Sequence, residues 1–389
     1  MNNRIEDKIE KLRLQYRQTA IKADNEFLFP YDNFENLIKE GLHTINLPDK
    51  YGGESLGFVD TSKMIVELSK GCPSTALCLA MHFYTIGGLQ RMLSPEIKEE
   101  IFLKVWEEGA LFGSIGDPNV FLSNPKKSNK ESYINITKVK DGYVINGVKR
   151  FVSGSFIIRY LPIYGIVGGE SIKEYGLTAL LIDMETKGIS IKKNWNYSGM
   201  RASMTHDVSF ENVYVPQKYL IGEEGEGVRY TENLIYWFRL LLVSVYQGIS
   251  LKAYDYIIEL VKNKVDKTTG KKLALLPSAQ SKLAKMRILI KNSSTQLIFT
   301  CQKADKENKE RSFTNSLYED SLITKYIITN SAVKVINLAM DIEGTSSLNK
   351  SSLLEMLYRD VRAGSFHPPT DDKIEEYISK RELGIISIS

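Results

Sequence analysis

Four histidines, His43, His82, His206 and His367, are the side chains of this sequence best suited to moving a proton near neutral pH. His367 lies in Gly364-Ser365-Phe366-His367-Pro368-Pro369. Proline forces extended backbone on the residue before it, so His367 is held on a fixed loop rather than a helix. His82 lies in an apolar segment that follows Cys72, where a lone imidazole is more often a satisfied core group than a catalyst. His206 stands between Thr205 and Asp207 at the start of a strand and reads as a surface turn. No pair of histidines has metal-ligand spacing, so no metal is expected, and no serine sits in a nucleophile elbow. Gly222-Glu223-Glu224-Gly225-Glu226-Gly227 is too acidic to cradle phosphate and reads as a hinge. Cys72, Cys78 and Cys301 are odd in number and form no CxxC pair, which points to a reducing, cytoplasmic setting.

The elements that must position these residues fall into three blocks. Segments 4–27, 31–41, 58–70, 73–93 and 95–108 carry helical patterns, with Pro95 in a first turn. Leu47-Pro48-Asp49-Lys50-Tyr51-Gly52-Gly53 between them is a turn. After Leu111 the period changes. Segment 133–139 alternates as a half-buried strand does, and Asp141-Gly142 and Asn146-Gly147 are tight-turn pairs. Segments 160–167, 177–182, 189–192 and 208–210 are of strand length. Beyond the hinge, Leu276, Ala279, Leu283, Met286, Ile290, Ser294, Leu297 and Cys301 recur at spacings of three and four, a helix seam open to a subunit interface. The expected class is α+β and multidomain. A helical domain covers 1–110, a central β-barrel or sandwich 111–222 and a helical bundle 223–389.

Composition narrows the function. The chain has 389 residues and a net charge of +4, with dispersed Lys and Arg. That excludes the basic blocks that bind nucleic acid. The polar start, Met1-Asn2-Asn3-Arg4, is unlike a signal peptide. The most apolar run, 234–249, is too short to cross a bilayer and reads as a buried helix, so no membrane partner is expected.

Five words in the chain, in order, resemble the acyl-CoA dehydrogenase superfamily of flavoproteins. They are Pro48-Asp49-Lys50-Tyr51-Gly52-Gly53, Asn146-Gly147-x-Lys149, Phe151-Val152-Ser153, Gly199-Met200-Arg201-x-Ser203 and Phe210-Glu211-Asn212-Val213-x-Val215-Pro216. The resemblance implies an N-terminal helical domain, a central β-barrel and a C-terminal four-helix bundle. It also implies a homo-oligomer, tetramer or dimer, with FAD between barrel and bundle. By position, the Ser153 hydroxyl would meet the flavin N5 edge and Phe151 would flank the ring. Ser114, Gly116 and Pro118 would lie in the flavin-contacting loop, and Arg239 near the acyl thioester.

Departures from the family pattern bear on the reaction. Dehydrogenating an acyl thioester needs a base for the α-proton. The usual glutamate would fall at His367 or Pro368, and the alternative one at Phe238. The Arg and Phe of the family's pyrophosphate grip fall at Asp266 and Thr269. The paired glycines of a neighbouring subunit's loop read Glu343-Gly344-Thr345-Ser346. These departures resemble the branch of reduced-FMN monooxygenases, in Arg359-x-x-Arg362 followed by His367, and in His82 and Ser153. The leading expectation is an acyl-CoA dehydrogenase-like oxidoreductase acting on a CoA or carrier-protein thioester, with His367 or His82 as the base. The alternative is a monooxygenase taking reduced FMN, and a third reading is a catalytically silent binding member. An electron-transfer flavoprotein or a flavin reductase would serve as redox partner.

Overall fold

The structure is a computed structural model that describes residues 1–117, 134–168 and 176–385. Five helices open the chain: α1 (Asn3–Asn25), α2 (Tyr31–Lys39), α3 (Phe58–Gly71), α4 (Pro73–Leu89) and α5 (Pro95–Glu108). Their ends follow from side chains near them. The Asn2 side chain accepts from the Ile5 N–H, Ser94 accepts from the Ile97 N–H, and Gly109 closes α5 at φ 70°. α4 shows almost no amphipathic contrast and is buried nearly all round, as its Ala and Leu content requires.

Eight strands follow: β1 (Leu111–Phe112), β2 (Ile134–Val139), β3 (Gly142–Val152), β4 (Ile158–Val167), β5 (Thr178–Asp183), β6 (Ile189–Lys192), β7 (His206–Pro216) and β8 (Leu220–Ile221). Hydrogen bonding runs β6-β7-β3-β2-β4-β5-β8, with β1 parallel to β4. Inward residues of these strands, among them Ile145, Leu161, Leu180, Phe210 and Val213, form a core of their own. Asp141, at φ 62°, makes the expected tight turn between β2 and β3. Asn146-Gly147 does not turn the chain. It lies inside β3 as a bulge, where the register against β7 slips between Ile145 and Gly147. The Asn212 N–H donates to Asn146 Oδ1 at 2.8 Å and stitches that bulge to β7.

The last block holds three long helices, α6 (Leu234–Asn263), α7 (Pro277–Glu310) and α8 (Asn315–Glu343), then α9 (Leu353–Val361) and α10 (Asp371–Glu382). α6 is its axis. Its 30 residues are long and apolar enough, on length and composition, to cross a membrane, contrary to the sequence-based length. Yet 83% of its most apolar window is buried against the other helices. α3 and α4 pack along α6 as α7 and α8 do, so first and last blocks share one hydrophobic core. Trp237 stacks on Phe58 at 3.8 Å between ring centroids. A Cβ at Gly87 would lie 2.7 Å from that indole, so glycine sets the α4–α6 approach. The seam of α7 is covered by the chain's own core at Met286, Ile290, Leu297 and Cys301, not left free for another subunit.

Candidate functional site: a ledge, a connecting loop and a buried imidazole

The β block presents an aromatic ledge. Phe151 ends β3 at φ 58°, a left-handed backbone that costs a residue with a side chain. Its ring is 38% exposed, edge-on to Trp195 at 6.5 Å and Tyr197 at 5.9 Å. Trp195 and Tyr197 stack on one another at 4.3 Å. Ser153, two residues on, is nearly buried, and its Oγ lies 3.0 Å from Thr205 Oγ1. Thr205 meets Ser203 Oγ at 2.7 Å, and Ser203 donates to the Met200 carbonyl. A serine ending such a chain can donate or accept, as both redox forms of a flavin N5 require.

Lys149, buried in β3, donates to the Ile115 and Gly116 carbonyls at 3.1 and 2.7 Å. Burial pushes its ammonium down to about 8, and Asp117 opposes that. The same loop is held from the other side. Ser114 Oγ bonds the Tyr84 hydroxyl at 2.6 Å and accepts from the Gly116 N–H at 3.0 Å. Pro118 lies outside the described residues.

Loop 199–205 joins the ledge to the helical side. The Met200 N–H donates to Asp360 at the end of α9, and Arg359 donates to the Ser198 carbonyl at 2.7 Å. A Cβ on Gly199 would sit 2.4 Å from the Arg359 carbonyl oxygen, which demands glycine there. Arg359 also grips Asp24 of α1 and Glu355. Burial, with Asp24 second, raises the Asp360 carboxyl to about 7.

From Asp360 the chain runs through a 3₁₀ segment, Arg362–Phe366, to His367. His367 Nε2 is buried and has no hydrogen-bond partner. Its ring lies 6.0 Å from that of Tyr246, whose hydroxyl is also buried without a partner. Burial, and then the charge of Lys325, push the imidazole down to about 4, so it is neutral at pH 7. Lys325 is fully buried and pairs with Asp371 at 3.4 Å. One turn before Lys325 on α8, Ser321 accepts from Arg239 Nη1 at 2.9 Å. Arg239 lies over the Tyr318 ring, its Cζ 4.5 Å from the centroid, with Nε unpartnered. Among the described residues it has no carboxylate partner. A buried guanidinium without a counter-charge is costly unless something else meets it.

His82 is not at such a place. Its Nδ1 accepts from the Phe112 N–H at 3.0 Å, and its Nε2 donates to the His43 carbonyl at 2.8 Å. Neither a lone pair nor an N–H is left for a substrate, and burial pushes the ring down to about 3. The expectation that His82 carries the proton is therefore set aside: it pins β1 to α4. His206 is a core group rather than a surface turn, because its Nδ1 accepts from the Trp195 N–H and its ring meets Phe156. Sequence reasoning passed over Lys149 as a brace and Tyr246 and Lys325 as neighbours of His367. The Asn-Gly-x-Lys word signals the first. Nothing local signals the other two.

Helical, β and helical blocks, with an aromatic ledge and a buried hydroxyl two residues beyond it, are the arrangement of a flavin-dependent oxidoreductase. The family follows from comparison. Models of the acyl-CoA dehydrogenase N-terminal, middle and C-terminal domains match residues 9–108, 122–213 and 225–380. The chain belongs to the acyl-CoA dehydrogenase family. The putative acyl-CoA dehydrogenase YdbM of Bacillus subtilis is 26% identical over 95% of this chain and 93% of its own. Acryloyl-CoA reductase (NADH) of Anaerotignum propionicum is 26% identical over 98% and 94%. Butyryl-CoA dehydrogenase of Megasphaera elsdenii superposes with a TM-score of 0.86 at 20% identity, covering 98% of this chain and 99% of that one. The dibenzothiophene monooxygenase TdsC of a Paenibacillus species, complexed with FMN and indole, superposes at 0.90 and 18% identity, covering 100% and 98%.

Proposed function

We propose that this chain oxidises the CH–CH group of an acyl thioester, carried on coenzyme A or a carrier protein, with His367 as the proton acceptor. One observation carries the proposal. The buried, unpartnered Nε2 of His367 lies on the loop that follows Arg359-Asp360, where the sequence pattern expects the base and offers no glutamate. Burial first, and the Lys325 ammonium second, keep the imidazole neutral, so it holds a lone pair for the α-proton. The Tyr246 hydroxyl, beside the His367 ring, is a donor without an acceptor and suits the oxygen of a thioester carbonyl, while Arg239 Nε, two turns away on α6, is a second such donor for another polar group of the substrate.

The ledge and Ser153 fit an isoalloxazine: a partly open Phe151 ring beside a hydroxyl that serves either redox form. The flavin, when bound, supplies the acceptor for the electron pair leaving the β-carbon. FAD is the first choice, and an electron-transfer flavoprotein the matching partner. A homo-oligomer is supported by apolar side chains that α7 leaves open, Ile288 and Phe299. Three free, buried cysteines suit a cytoplasmic setting.

A second reading rests on the turn after α6. Asp266 Oδ1 accepts from Thr269 N and Oγ1, both at 2.7 Å, closing the turn on itself with no arginine for a pyrophosphate. That favours FMN, and with it a monooxygenase fed by a flavin reductase. Equilibrium dialysis with FAD and FMN, followed by anaerobic addition of acyl-CoA thioesters, separates the readings. Retained yellow FAD that bleaches, and does not bleach in His367→Ala, supports dehydrogenation. Retention of reduced FMN alone, with oxygen uptake, sinks it in favour of the second reading. No flavin in either redox state sinks both and leaves the silent binding member.

A further inference from the structure

Arg239 and Tyr246 lie on one face of α6, two turns and about 10 Å of helix apart. Leu242 and Val243 lie between them on that face, and both are fully buried. The His367 loop closes on the Tyr246 end. A Cβ on Gly364 would lie 3.0 Å from Thr329 of α8 and 3.2 Å from the Tyr246 ring. At the other end Ser321 of α8 meets Arg239. The strip is therefore polar at both ends and apolar in its middle.

The Arg239 end lacks a negative charge. Arg239 is only 2% exposed, and its Nε is buried with no partner. Burial pulls its pKa down, yet a guanidinium stays charged near neutral pH. The carboxylates of the surrounding helices are spoken for. Glu307 accepts from Thr314 N and Oγ1 at 2.7 and 2.9 Å, Glu319 pairs with Arg381, and Asp320 pairs with Lys303 at 2.6 Å. Asp371 pairs with Lys325 and accepts from Asn330 at 3.0 Å. Tyr236 stays neutral, since burial pushes its hydroxyl up to about 12. One buried positive charge is thus left unanswered, which is costly. A hydroxyl or amide of the substrate would meet Nε and leave the charge. A phosphoryl group would bring two charges to one free cation. A carboxylate meets both needs, because its two oxygens match the guanidinium fork.

We propose that Arg239 selects the far end of the acyl chain, and that the substrate is the monothioester of a dicarboxylic acid. Its free carboxylate lies on Arg239, its methylenes run over Leu242 and Val243, and its thioester carbonyl lies at Tyr246 beside His367. Two helical turns between the ends call for several methylenes rather than one or two. The inference rests on the reading of His367 and Tyr246 as the thioester end.

Anaerobic calorimetric titration of the full chain with excess FAD tests the assignment. The probes are pantetheine thioesters, whose arm coenzyme A and carrier proteins share: adipyl, pimelyl and suberyl against hexanoyl, heptanoyl and octanoyl of the same lengths. At least one diacid thioester should bind about tenfold or more tightly than its monoacid counterpart. Arg239→Gln should bring the two series level. Ser321→Ala frees the guanidinium it holds and should cut the preference about threefold, which covers the case in which Arg239→Gln does not fold. Diacids that bind no better than monoacids at every length overturn the proposal. So does a preference that Arg239→Gln, or Ser321→Ala where that variant does not fold, leaves unchanged. No binding of either series up to about 10 mM overturns it together with the thioester reading. The absorbance of the flavin keeps the two apart. A diacid preference without bleaching sinks the dehydrogenation and leaves the carboxylate site. Bleaching by monoacids with no diacid preference does the reverse.

Discussion

The backbone N–H of Met200 donates to the Asp360 carboxylate at 2.5 Å across 160 residues of sequence. Through it, the loop that ends the ledge's hydroxyl chain is tied to the helix that leads to His367. Asp360 is fully buried, and its carboxyl is raised from 3.8 to about 7. The folded state therefore holds that proton more tightly than the unfolded chain does. The sign follows: this group's contribution to stability is greatest at low pH and declines as pH rises from about 4 to about 7. Asp360→Asn, which does not titrate, should flatten that decline in urea melts taken across the window. Asp360→Ala removes the acceptor of the Met200 N–H and should cost about 1–3 kcal/mol at any pH.

His82 should behave in the opposite sense. Its ring is neutral in the fold, at about 3, against an ordinary value of 6.5. Its contribution is complete above about pH 6.5 and is lost as pH falls toward 3. His82→Ala orphans the Phe112 N–H and the His43 carbonyl and leaves a cavity, at a cost of about 2–4 kcal/mol. His82→Gln should lose the acid dependence of this position while keeping part of its bonding. In either variant, turnover per folded molecule should match the parent. A fall of about a hundredfold at full folding would restore His82 as a catalyst.

The contrast between His82 and His367 shows where sequence reading stops. Both were open to a proton-carrying role because both are histidines in resembling positions. What separates them is whether β1 brings the Phe112 N–H to one ring and whether anything reaches the other. Periodicity carries no information about such contacts. The helices were legible because their signals are local: Ser94 and Pro95 start α5, and Gly109 stops it. Asn146-Gly147 misled for the same reason. Its local chemistry is that of a hairpin turn, but Asn212, 66 residues away, converts it into a bulge. The α7 stripe packs against other helices, as its spacing predicts, at Met286, Ile290, Leu297 and Cys301. Whose helices cover it the spacing leaves open, because a heptad-like stripe does not name its partner.

Lys149 should matter to flavin retention without touching the flavin. Its ammonium is spent on the Ile115 and Gly116 carbonyls, and so sets the path of that loop. Lys149→Met keeps the length and apolar stem of the side chain but leaves two carbonyls unmet. Flavin affinity should fall about tenfold, read by fluorescence quenching, while the far-ultraviolet dichroism stays unchanged. Unchanged affinity would mean that the loop holds its shape without the lysine.

Phe151 offers a sharper separation of fold from function. The residue sits at φ 58°, and such a backbone costs a residue with a Cβ on the order of 1 kcal/mol that glycine would not incur. Its ring is partly exposed and touches Trp195 and Tyr197 only edge-on, so little core is lost with it. For the flavin-free protein, Phe151→Gly should change unfolding stability by less than about 1 kcal/mol, because relief of the backbone and loss of the edge contacts oppose each other. Flavin retention should suffer far more, since the ledge loses the ring that would flank the isoalloxazine. Phe151→Trp keeps the backbone cost and the aromatic surface, and should retain flavin. The pair is measured by thermal melting without flavin and by dialysis with it. If Phe151→Gly melts far below the parent yet still holds flavin as tightly, the residue belongs to the core of the fold, and the ledge is not where the ring lies.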